Sequence, residues 1–363
     1  MANLQVNVIG GVDTHKHTHY AAAIDGHGRL LGHEEFPANA AGYRSLLEWM
    51  RQLGHIETIG VESSGSFGAA LTRFLRAAGE DVAEVNKPNR QARHMQGKSD
   101  RLDAEQIARA VLAGEGVGTP KTKSGPIEAI RMLRIARASA IRARTQAFNN
   151  LFGTMIGAPS EVRDELVGLT KRTFVNHCLV LEPETDDLLE LIDDPERLVL
   201  ASARLTLRDL ARRWKALDRE AKDLGRRIEA LVRHVAPKLV EMFGVSTELA
   251  GQFLVTAGDN PERIRNEAAF ARLCGVCPKP ASSGLKNNRH RLNRGGDRGA
   301  NSALWIVAVV RLRHHEPTRE YVERRTAEGL SKREIIRCLK RYIAREVFAA
   351  LPRSGPEAAR AAA

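Results

Sequence analysis

The first 112 residues restrict the fold of this chain most strongly, because short β-branched runs come first and helical periods follow. Val6, Val8 and Val12 lie in a run that contains Gly10 and Gly11 near its end, which predicts a first strand. The predicted strands cover residues 4–12, 19–24, 29–36, 56–62 and 81–85, and the predicted helices cover 40–53, a segment after Gly65, and 100–112. Strands that first pair as hairpins and then alternate with helices predict an α/β domain with a mixed sheet flanked by helices.

Positive charge is the second constraint. The 363 residues carry a formal net charge of +12 and a pI near 9.9. A chain of this length is expected to form two or three domains. The commonest explanation of such an excess of positive charge is binding to an anionic polymer, nucleic acid above all. The alternative is a soluble basic protein without such a partner.

One basic cluster lies in a predicted helix. Between Glu128 and Glu161 the sequence has no acid, while apolar residues recur at helical spacing. An ordinary solvated helix face would mix charges of both signs, so we expect this face to bind RNA or DNA phosphates. Its candidate nucleic-acid-binding residues are Arg131, Arg134, Arg137, Arg142 and Arg144.

The other basic cluster, residues 279–298, contains two adjacent serines, several glycines and a single acid, Asp297. A serine in such a segment could attack a phosphate, with a base such as His290 or a metal ion assisting, although most loop serines only cap or turn. Ser282 and Ser283 are both candidates, and the sequence lacks the Gly-x-Ser-x-Gly motif of acyl-transfer hydrolases. The candidate nucleic-acid-binding residues here are Lys286, Arg289, Arg291, Arg294 and Arg298.

Four carboxylates are positioned to share one pocket. Asp13 and Glu62 close two predicted strands, and Asp100 and Asp103 lie three apart at the start of a predicted helix. Such a group repels itself unless a divalent cation compensates it, and hard oxygen ligands suit Mg²⁺ or Mn²⁺. Taken alone, Asp100 and Asp103 are also explained by the preference of helix starts for acids.

A heptad-like segment separates the acids from the serines. Apolar residues recur with alternating gaps of three and four from Leu207 to Val235. This spacing predicts either an antiparallel helical hairpin or dimerising coiled coil, or a long amphipathic helix in a bundle. Each alternative makes the segment a spacer and assembly element.

The C-terminal part returns to shorter patterns. They predict helices near 244–256, 260–273 and 300–312, a turn at 316–318, and a last helix that begins at a capping box near Ser331. The tail after Arg353 is expected to be disordered.

Cysteine usage and hydropathy indicate in which cellular compartment we expect the protein. Four cysteines predict no disulfide framework, and Cys274 and Cys277 lack a second metal-binding pair, so we expect a packed helix end there. No apolar run approaches about 18 residues. We therefore expect a cytoplasmic protein, associated with the nucleoid and not with a membrane.

These motifs together resemble the IS110-type transposases, serine recombinases with an N-terminal RuvC-like domain and a C-terminal transposase domain. The matching segments span nearly the whole chain in the family's order. They are Gly11-Val12-Asp13, Gly60-Val61-Glu62-Ser63-Ser64-Gly65, Lys98-Ser99-Asp100-Arg101-Leu102-Asp103-Ala104, and Pro278 through Ser283-Gly284 to Gly296. Where relatives often have a glycine-rich helix-hairpin-helix turn, this chain reads Gly244-Val245-Ser246-Thr247 and lacks the second glycine.

The resemblance implies a RuvC/RNase H-like fold and a mechanism. Asp13, Glu62, Asp100 and Asp103 would match the family's metal site, which binds Mg²⁺ or Mn²⁺. Ser283, which directly precedes Gly284, would match the nucleophile that forms a covalent phosphoserine link to DNA. The implied partners are donor and target DNA, a structured guide (bridge) RNA, and further copies of the chain in dimers and tetramers, where the acids of one subunit face the serine of another.

The implied domains are a RuvC-like metal-binding domain at 1–125, a helical coiled-coil linker at 126–236, a mostly helical transposase domain with the serine loop at 237–352, and the tail at 353–363. The main alternative is a RuvC-like metal-dependent nuclease or junction resolvase without a covalent intermediate. A sugar-kinase-like phosphotransferase would need a second, similar half that the sequence lacks. A purely architectural nucleic-acid binder would gain nothing from four clustered acids.

Overall fold

The structure, a computed structural model, describes residues 6–85, 99–280, 290–292 and 295–352. The chain divides into two compact units. The first comprises Met1–Glu128 together with Gln252–Ala363, and the second comprises Ala129–Gly251. The predicted tail lies outside the described residues.

A mixed sheet forms the N-terminal part of the first unit. Its strands are β1 (Asn7–Thr14), β2 (Thr18–Asp25), β3 (Leu30–Pro37), β4 (His55–Glu62), β5 (Val82–Val85) and β6 (Val117–Gly118). They are ordered β3-β2-β1-β4-β5-β6. The β1–β2, β2–β3 and β5–β6 pairs are antiparallel, while β1–β4 and β4–β5 are parallel. This confirms the predicted mixed sheet, and the two-residue edge strand β6 is too short for a sequence pattern to indicate.

Helices cover both faces of the sheet. Helices α1 (Ala40–Leu53) and α2 (Ala69–Ala77) lie on one face, and α3 (Asp100–Ala113) lies on the other. The two glycines of the central strand explain the close approach. A Cβ on Gly10 would lie 2.8 Å from Cε of Met50 in α1, and one on Gly11 would lie 2.2 Å from the carbonyl oxygen of Ala104 in α3. Adjacent strand residues face opposite sides, so each glycine admits one helix.

The second unit is helical. Helix α4 (Pro126–Ile156) enters it at residue 129, and α5 (Ser160–Leu166), α6 (Lys171–Leu179), a 3₁₀ turn (Leu188–Leu191), α7 (Pro195–Val235) and α8 (Pro237–Glu241) follow. Leu151, Phe174 and Leu207 belong to one buried cluster that joins α4, α6 and α7.

Helices α4 and α7 run antiparallel. Arg144 contacts Asp218, and Arg137, earlier in α4, donates to the carbonyl of Ala221, later in α7. The heptad segment therefore lies in one long helix that forms a hairpin-like pair within the chain. Whether it also pairs between subunits stays a prediction.

The C-terminal part of the first unit is mostly helical. Its elements are α9 (Thr247–Ala257, which enters from the second unit), a 3₁₀ turn (Pro261–Arg263), α10 (Glu267–Leu273), the antiparallel strands β7 (Pro278–Pro280) and β8 (His290–Leu292), α11 (Arg298–His314), α12 (Glu316–Ala327) and α13 (Lys332–Ala350). The capping box of Ser331 and Glu334 is confirmed at the start of α13. The predicted turn at 316–318 is wrong, because Pro317 occupies the first turn of α12, where proline is tolerated.

No helix among the described residues is both long and apolar enough to cross a membrane.

Candidate metal centre and nucleic-acid interface

The four predicted acids lie at the same end of the sheet, and among the described residues the group whose ligand atoms lie within 4.8 Å of one another includes Asp13 and Asp100 but not Glu62 or Asp103. Asp13 lies near the end of β1 and Glu62 ends β4, and the two strands are parallel neighbours with Val12 opposite Val61. The hydroxyl of Thr14 donates to the carbonyl oxygen of Glu62 at 2.9 Å and so ties the two strand ends together. The first turn of α3, on the face of the sheet that Gly11 opens, contributes Asp100 and Asp103.

The electrostatics of Asp13 show how close these groups are. Burial, chiefly, raises the pKa of its carboxyl from 3.8 to about 6; nearby His15 lowers it, while the negative charges of Glu62, Asp103 and Asp100 raise it further. Asp13 is only 8% exposed and Asp103 only 4%. Burial and mutual repulsion both penalise the ionised acids, and a divalent cation relieves both penalties. The donor set of carboxylate oxygens therefore fits a hard divalent ion.

His15 is a member of this group that the sequence pattern did not single out. Its Nε2 lies 3.9 Å from Oδ2 of Asp13 and 3.9 Å from Oδ1 of Asp100. One ligand atom from each of these three residues lies within 4.8 Å of the other two. The signal that could have found it is its position, two residues after Asp13, on the same side of an extended strand end.

The turn after Glu62 is held by contacts on two sides. Ser63 adopts a left-handed backbone conformation with φ of 54°. The buried hydroxyl of Ser64 donates to Oε1 of Glu84 on β5 at 2.7 Å. Nζ of Lys123 donates to the carbonyl oxygen of Gly65. These contacts fix the backbone that follows the Glu62 carboxylate.

Lys123 belongs to a joint segment, residues 119–128, which contacts the C-terminal part of the same unit. Nζ of Lys121 donates to the carbonyl oxygen of Val255 at 2.7 Å, and its burial, followed by the nearby Arg263 charge, lowers its pKa to about 8. The buried amide of Asn260 donates to the carbonyl of Pro120 at 3.0 Å. Polar contacts thus connect the segment after the sheet domain to the end of α9.

The arginine face of α4 is partly neutralised by acids from elsewhere in the chain. Arg134 and Arg137 both contact the carboxylate of Glu248, at 2.6 and 2.9 Å, and Arg144 contacts Asp218 at 2.5 Å. These three arginines therefore pair with acids that lie outside the acid-free stretch. Arg142 is exposed and Arg131 is half-buried. Binding of nucleic acid by the five arginines stays a prediction.

Most of the predicted serine loop, the part of residues 279–298 that precedes Asp297, lies outside the described residues. Those positions are Ser282, Ser283, Lys286, Arg289 and Arg294. Arg291 belongs to strand β8, whose backbone pairs with β7, and Arg298 is the exposed first residue of α11.

The one acid of this stretch has a structural role. Asp297 caps α11, where its carboxylate accepts from the backbone N of Ala300 at 3.0 Å and from the hydroxyl of Thr256 at 2.8 Å. Its own backbone N donates to the carbonyl of Leu273 at 2.7 Å. Asp297 therefore anchors the chain immediately after the serine loop.

Comparison with known proteins identifies the family. Residues 10–157 match a transposase family whose model carries the IS110 name and the four-acid DEDD designation, and residues 236–323 match the transposase family IS116/IS110/IS902. The chain belongs to the IS110-type transposases. The first match contains all four clustered acids, and the second contains the serine stretch.

Three insertion-element relatives agree with this assignment. An insertion element IS116 protein of 44.8 kDa from Streptomyces clavuligerus is 23% identical over 91% of both chains. An insertion element IS900 protein from Mycobacterium paratuberculosis is 23% identical over 92% of this chain and 93% of its own length. A 43.6 kDa insertion element IS110 protein from Streptomyces coelicolor is 27% identical over 46% of this chain and 42% of its own.

Family membership makes this IS110-type transposase an enzyme that acts on DNA, and its acidic domain implies the use of a divalent metal ion. The fold agrees, since a mixed sheet with helices precedes a mostly helical C-terminal part, as in a RuvC-like acidic domain followed by a transposase domain.

Cys274 packs at a helix end. Cys274 is buried at the end of α10, and burial raises the pKa of its thiol to about 12. The amide of Asn301 donates to the carbonyl oxygens of Cys274 and Gly275, both at 3.0 Å. This is the packed helix end that the sequence predicted.

Proposed function

We propose that this transposase excises and inserts a mobile element by attack of Ser283 on DNA phosphodiesters, assisted by Mg²⁺ or Mn²⁺ at Asp13, Glu62, Asp100 and Asp103. The observation that carries the proposal is the convergence of the four acids on one sheet end, where burial and mutual repulsion raise the pKa of Asp13 to about 6. A bound divalent ion would neutralise these charges and polarise a phosphodiester oxygen.

The proposed chemistry proceeds in two balanced steps. The serine oxygen bonds to phosphorus and gives up its proton, while the bond from phosphorus to one DNA oxygen breaks and that oxygen takes a proton. A DNA hydroxyl then gives up its proton and attacks the phosphoserine, so the bond from phosphorus to the serine oxygen breaks, that oxygen takes a proton, and a new phosphodiester forms. No nucleotide is consumed, because each step exchanges one phosphoester bond for another.

The further partners follow from the same proposal. A guide RNA is proposed to pair with both donor and target DNA, and the exposed Arg142 and Arg298 offer positive charge to its phosphates or to those of DNA. Active dimers or tetramers are proposed to bring the acids of one subunit to the serine of another. The proposed domain boundaries are 125/126, 236/237 and 352/353.

A gel assay tests the covalent step. The purified protein, with the RNA that co-purifies with it, is incubated with Mg²⁺ and labelled DNA that carries the joined ends of its element, then denatured and resolved. We expect a protein–DNA adduct from the wild type and from Ser302→Ala, an exposed serine of α11 that serves as the control. We expect none from Ser283→Ala or Asp13→Asn.

Each other pattern has a definite meaning. An adduct that survives Ser283→Ala and disappears in Ser282→Ala assigns the nucleophile to the neighbouring serine. Cut DNA ends without an adduct, in the wild type and in both serine variants, would establish the alternative, a metal-dependent nuclease or junction resolvase. Sequencing the co-purified nucleic acid tests the guide RNA, which is refuted if no discrete RNA is enriched.

A further inference from the structure

We propose that Nε2 of His15 is an additional ligand of the divalent ion, completing a set with Asp13 and Asp100 and favouring Mn²⁺ over Mg²⁺. The inference rests on the proposed function, because it assumes that the four-acid centre binds a metal. It goes further in assigning a nitrogen ligand and a metal preference to a site otherwise built from oxygen.

The distances bring the imidazole within reach of an ion that Asp13 and Asp100 would bind. Octahedral Mg²⁺ lies about 2.1 Å from its ligands, so two ligand atoms on one ion are at most about 4.2 Å apart. Nε2 of His15 lies 3.9 Å from a carboxylate oxygen of Asp13 and 3.9 Å from one of Asp100. Both separations are within this limit. All three ligand atoms lie within 4.8 Å of one another, so a small inward shift of these side chains is needed to bring them onto one ion.

Hydrogen bonding does not explain the position of the ring. A separation of 3.9 Å from each carboxylate is beyond the range of a direct hydrogen bond, so His15 does not orient either acid by donating to it. The ring lies at the same distance from two carboxylates that come from different elements, Asp13 from β1 and Asp100 from α3.

The backbone holds His15 at this place. The backbone N of His15 donates to the carbonyl oxygen of Thr18 at 3.0 Å, which closes the turn between β1 and β2. The neighbouring histidines are placed differently. His17 is exposed, and His19 is fully buried and stacks on Tyr43 with ring centroids 5.6 Å apart. His17 therefore provides a matched control of the same residue type, two positions away.

The ligand type sets the metal preference. Carboxylate oxygens suit Mg²⁺ and Mn²⁺ alike, whereas imidazole nitrogen belongs to the ligand sets of transition metals. Mg²⁺ also keeps an almost entirely oxygen shell, much of it water. A site with one histidine is therefore expected to bind Mn²⁺ more tightly than Mg²⁺, and removal of the histidine is expected to weaken Mn²⁺ binding selectively.

Pulsed electron paramagnetic resonance tests the ligand directly, without reference to activity. Full-length protein is loaded with one equivalent of Mn²⁺, and the electron spin-echo modulation is recorded. We expect the ¹⁴N modulation of a coordinated imidazole in the wild type and in His17→Asn. It should disappear in His15→Asn and in His15→Gln, and change to the ¹⁵N pattern when the wild type is grown with ¹⁵N-histidine.

Calorimetry supplies the second readout. We expect His15→Asn to weaken Mn²⁺ binding about tenfold or more, the scale by which loss of groups around a metal lowers affinity, and to change Mg²⁺ binding less. His15→Asn and His15→Gln are both measured in case one of them does not fold. The spectrum of the wild type grown with ¹⁵N-histidine tests the ligand without either variant.

The outcomes separate this inference from the proposed function. If Mn²⁺ binds, is lost in Asp13→Asn, and shows no imidazole nitrogen in the wild type, the His15 ligand is refuted and the acidic metal centre stands. If Mn²⁺ binding is absent, or is unchanged in Asp13→Asn, the metal centre itself is refuted and the His15 ligand with it.

Discussion

Removal of the Asp259 carboxylate should loosen the start of helix α4. Asp259 follows α9, and its two oxygens accept from the backbone N of Ile127 at 2.9 Å and of Glu128 at 3.2 Å. The first amides of a helix have no partner within it, and Pro126 at the first position has no N–H to offer. A carboxylate from a distant part of the sequence thus performs the role that an N-cap residue usually performs locally.

The size of the effect follows from these two bonds. Hydrogen bonds to a charged group contribute about 1.5–3 kcal/mol each, and loss of an N-cap side chain costs about 0.5–2 kcal/mol. Asp259 is half-buried, its two bonds share one carboxylate, and the backbone N of Glu128 also donates to the carbonyl oxygen of Gly125 at 3.1 Å, so we expect Asp259→Ala to cost about 2 kcal/mol. That cost corresponds to a change of roughly 30-fold in the local opening equilibrium. Asp259→Asn retains one acceptor oxygen and should cost about half as much.

Hydrogen exchange followed by mass spectrometry measures this opening. Peptides that span 121–130 should exchange roughly 30-fold faster in Asp259→Ala than in the wild type, while sheet peptides from β1 remain unchanged. Asp193→Ala is the control, because Asp193 is an exposed aspartate shortly before α7.

The reasoning fails if the 121–130 peptides of Asp259→Ala exchange within twofold of wild type. It also fails if Asp193→Ala accelerates them equally, since the effect would then not come from the carboxylate at the helix start.

Three further changes test the sheet, the acid site and the arginine face. In metal-free protein the raised pKa of Asp13 stabilises the fold fully below about pH 4, and this contribution is lost as pH rises through about 6. Chemical denaturation in EDTA should therefore show a loss of up to ~3 kcal/mol in the free energy of unfolding over this range, and Asp13→Asn should abolish the loss. A free energy of unfolding that does not change with pH in the wild type contradicts this. Gly11→Ala should lower the free energy of unfolding by more than about 4 kcal/mol in chemical denaturation, because its Cβ would overlap the backbone of α3. Gly26→Ala, with open space around it, should lower it by less than about 1 kcal/mol. Equal losses for the two variants contradict the packing argument. Glu248→Gln removes the charge that pairs with two arginines of α4, so RNA affinity measured by fluorescence anisotropy should rise at low salt. The difference in affinity between variant and wild type should shrink at high salt. Unchanged affinity would argue against an arginine interface.

The sequence predicted the elements that local patterns encode. β-Branched runs and helical periods located the strands of the sheet and the helix that begins at Asp100, and hairpins followed by alternation predicted their arrangement. Asp13 and Glu62 could be placed together because the carboxyl ends of parallel neighbours meet at one edge of a sheet.

Other features depend on contacts between distant residues, and local patterns carry no record of them. Glu248 reaches Arg134 across 114 positions of sequence, and Asp259 reaches Ile127 across 132. His15 has no periodic signal, because its role depends on how the turn after β1 faces the first turn of α3. The missed start of α12 has a different cause: proline usually indicates a turn, yet it also suits a first helical turn.

One chain of hydrogen bonds connects the acid site to the end of the serine stretch within a single subunit. Lys123 holds the turn after Glu62, its neighbour Lys121 holds the carbonyl of Val255, and the next residue, Thr256, donates to the Asp297 cap that follows the serine loop. A swivel of the C-terminal part about residues 119–128 would break the Lys121–Val255 and Asn260–Pro120 hydrogen bonds, at about 1–3 kcal/mol for each buried group left unpaired. Acids and serine from different subunits are proposed to meet. We therefore expect whole subunits to associate so that the two sites face each other, because bending within one subunit would break these hydrogen bonds.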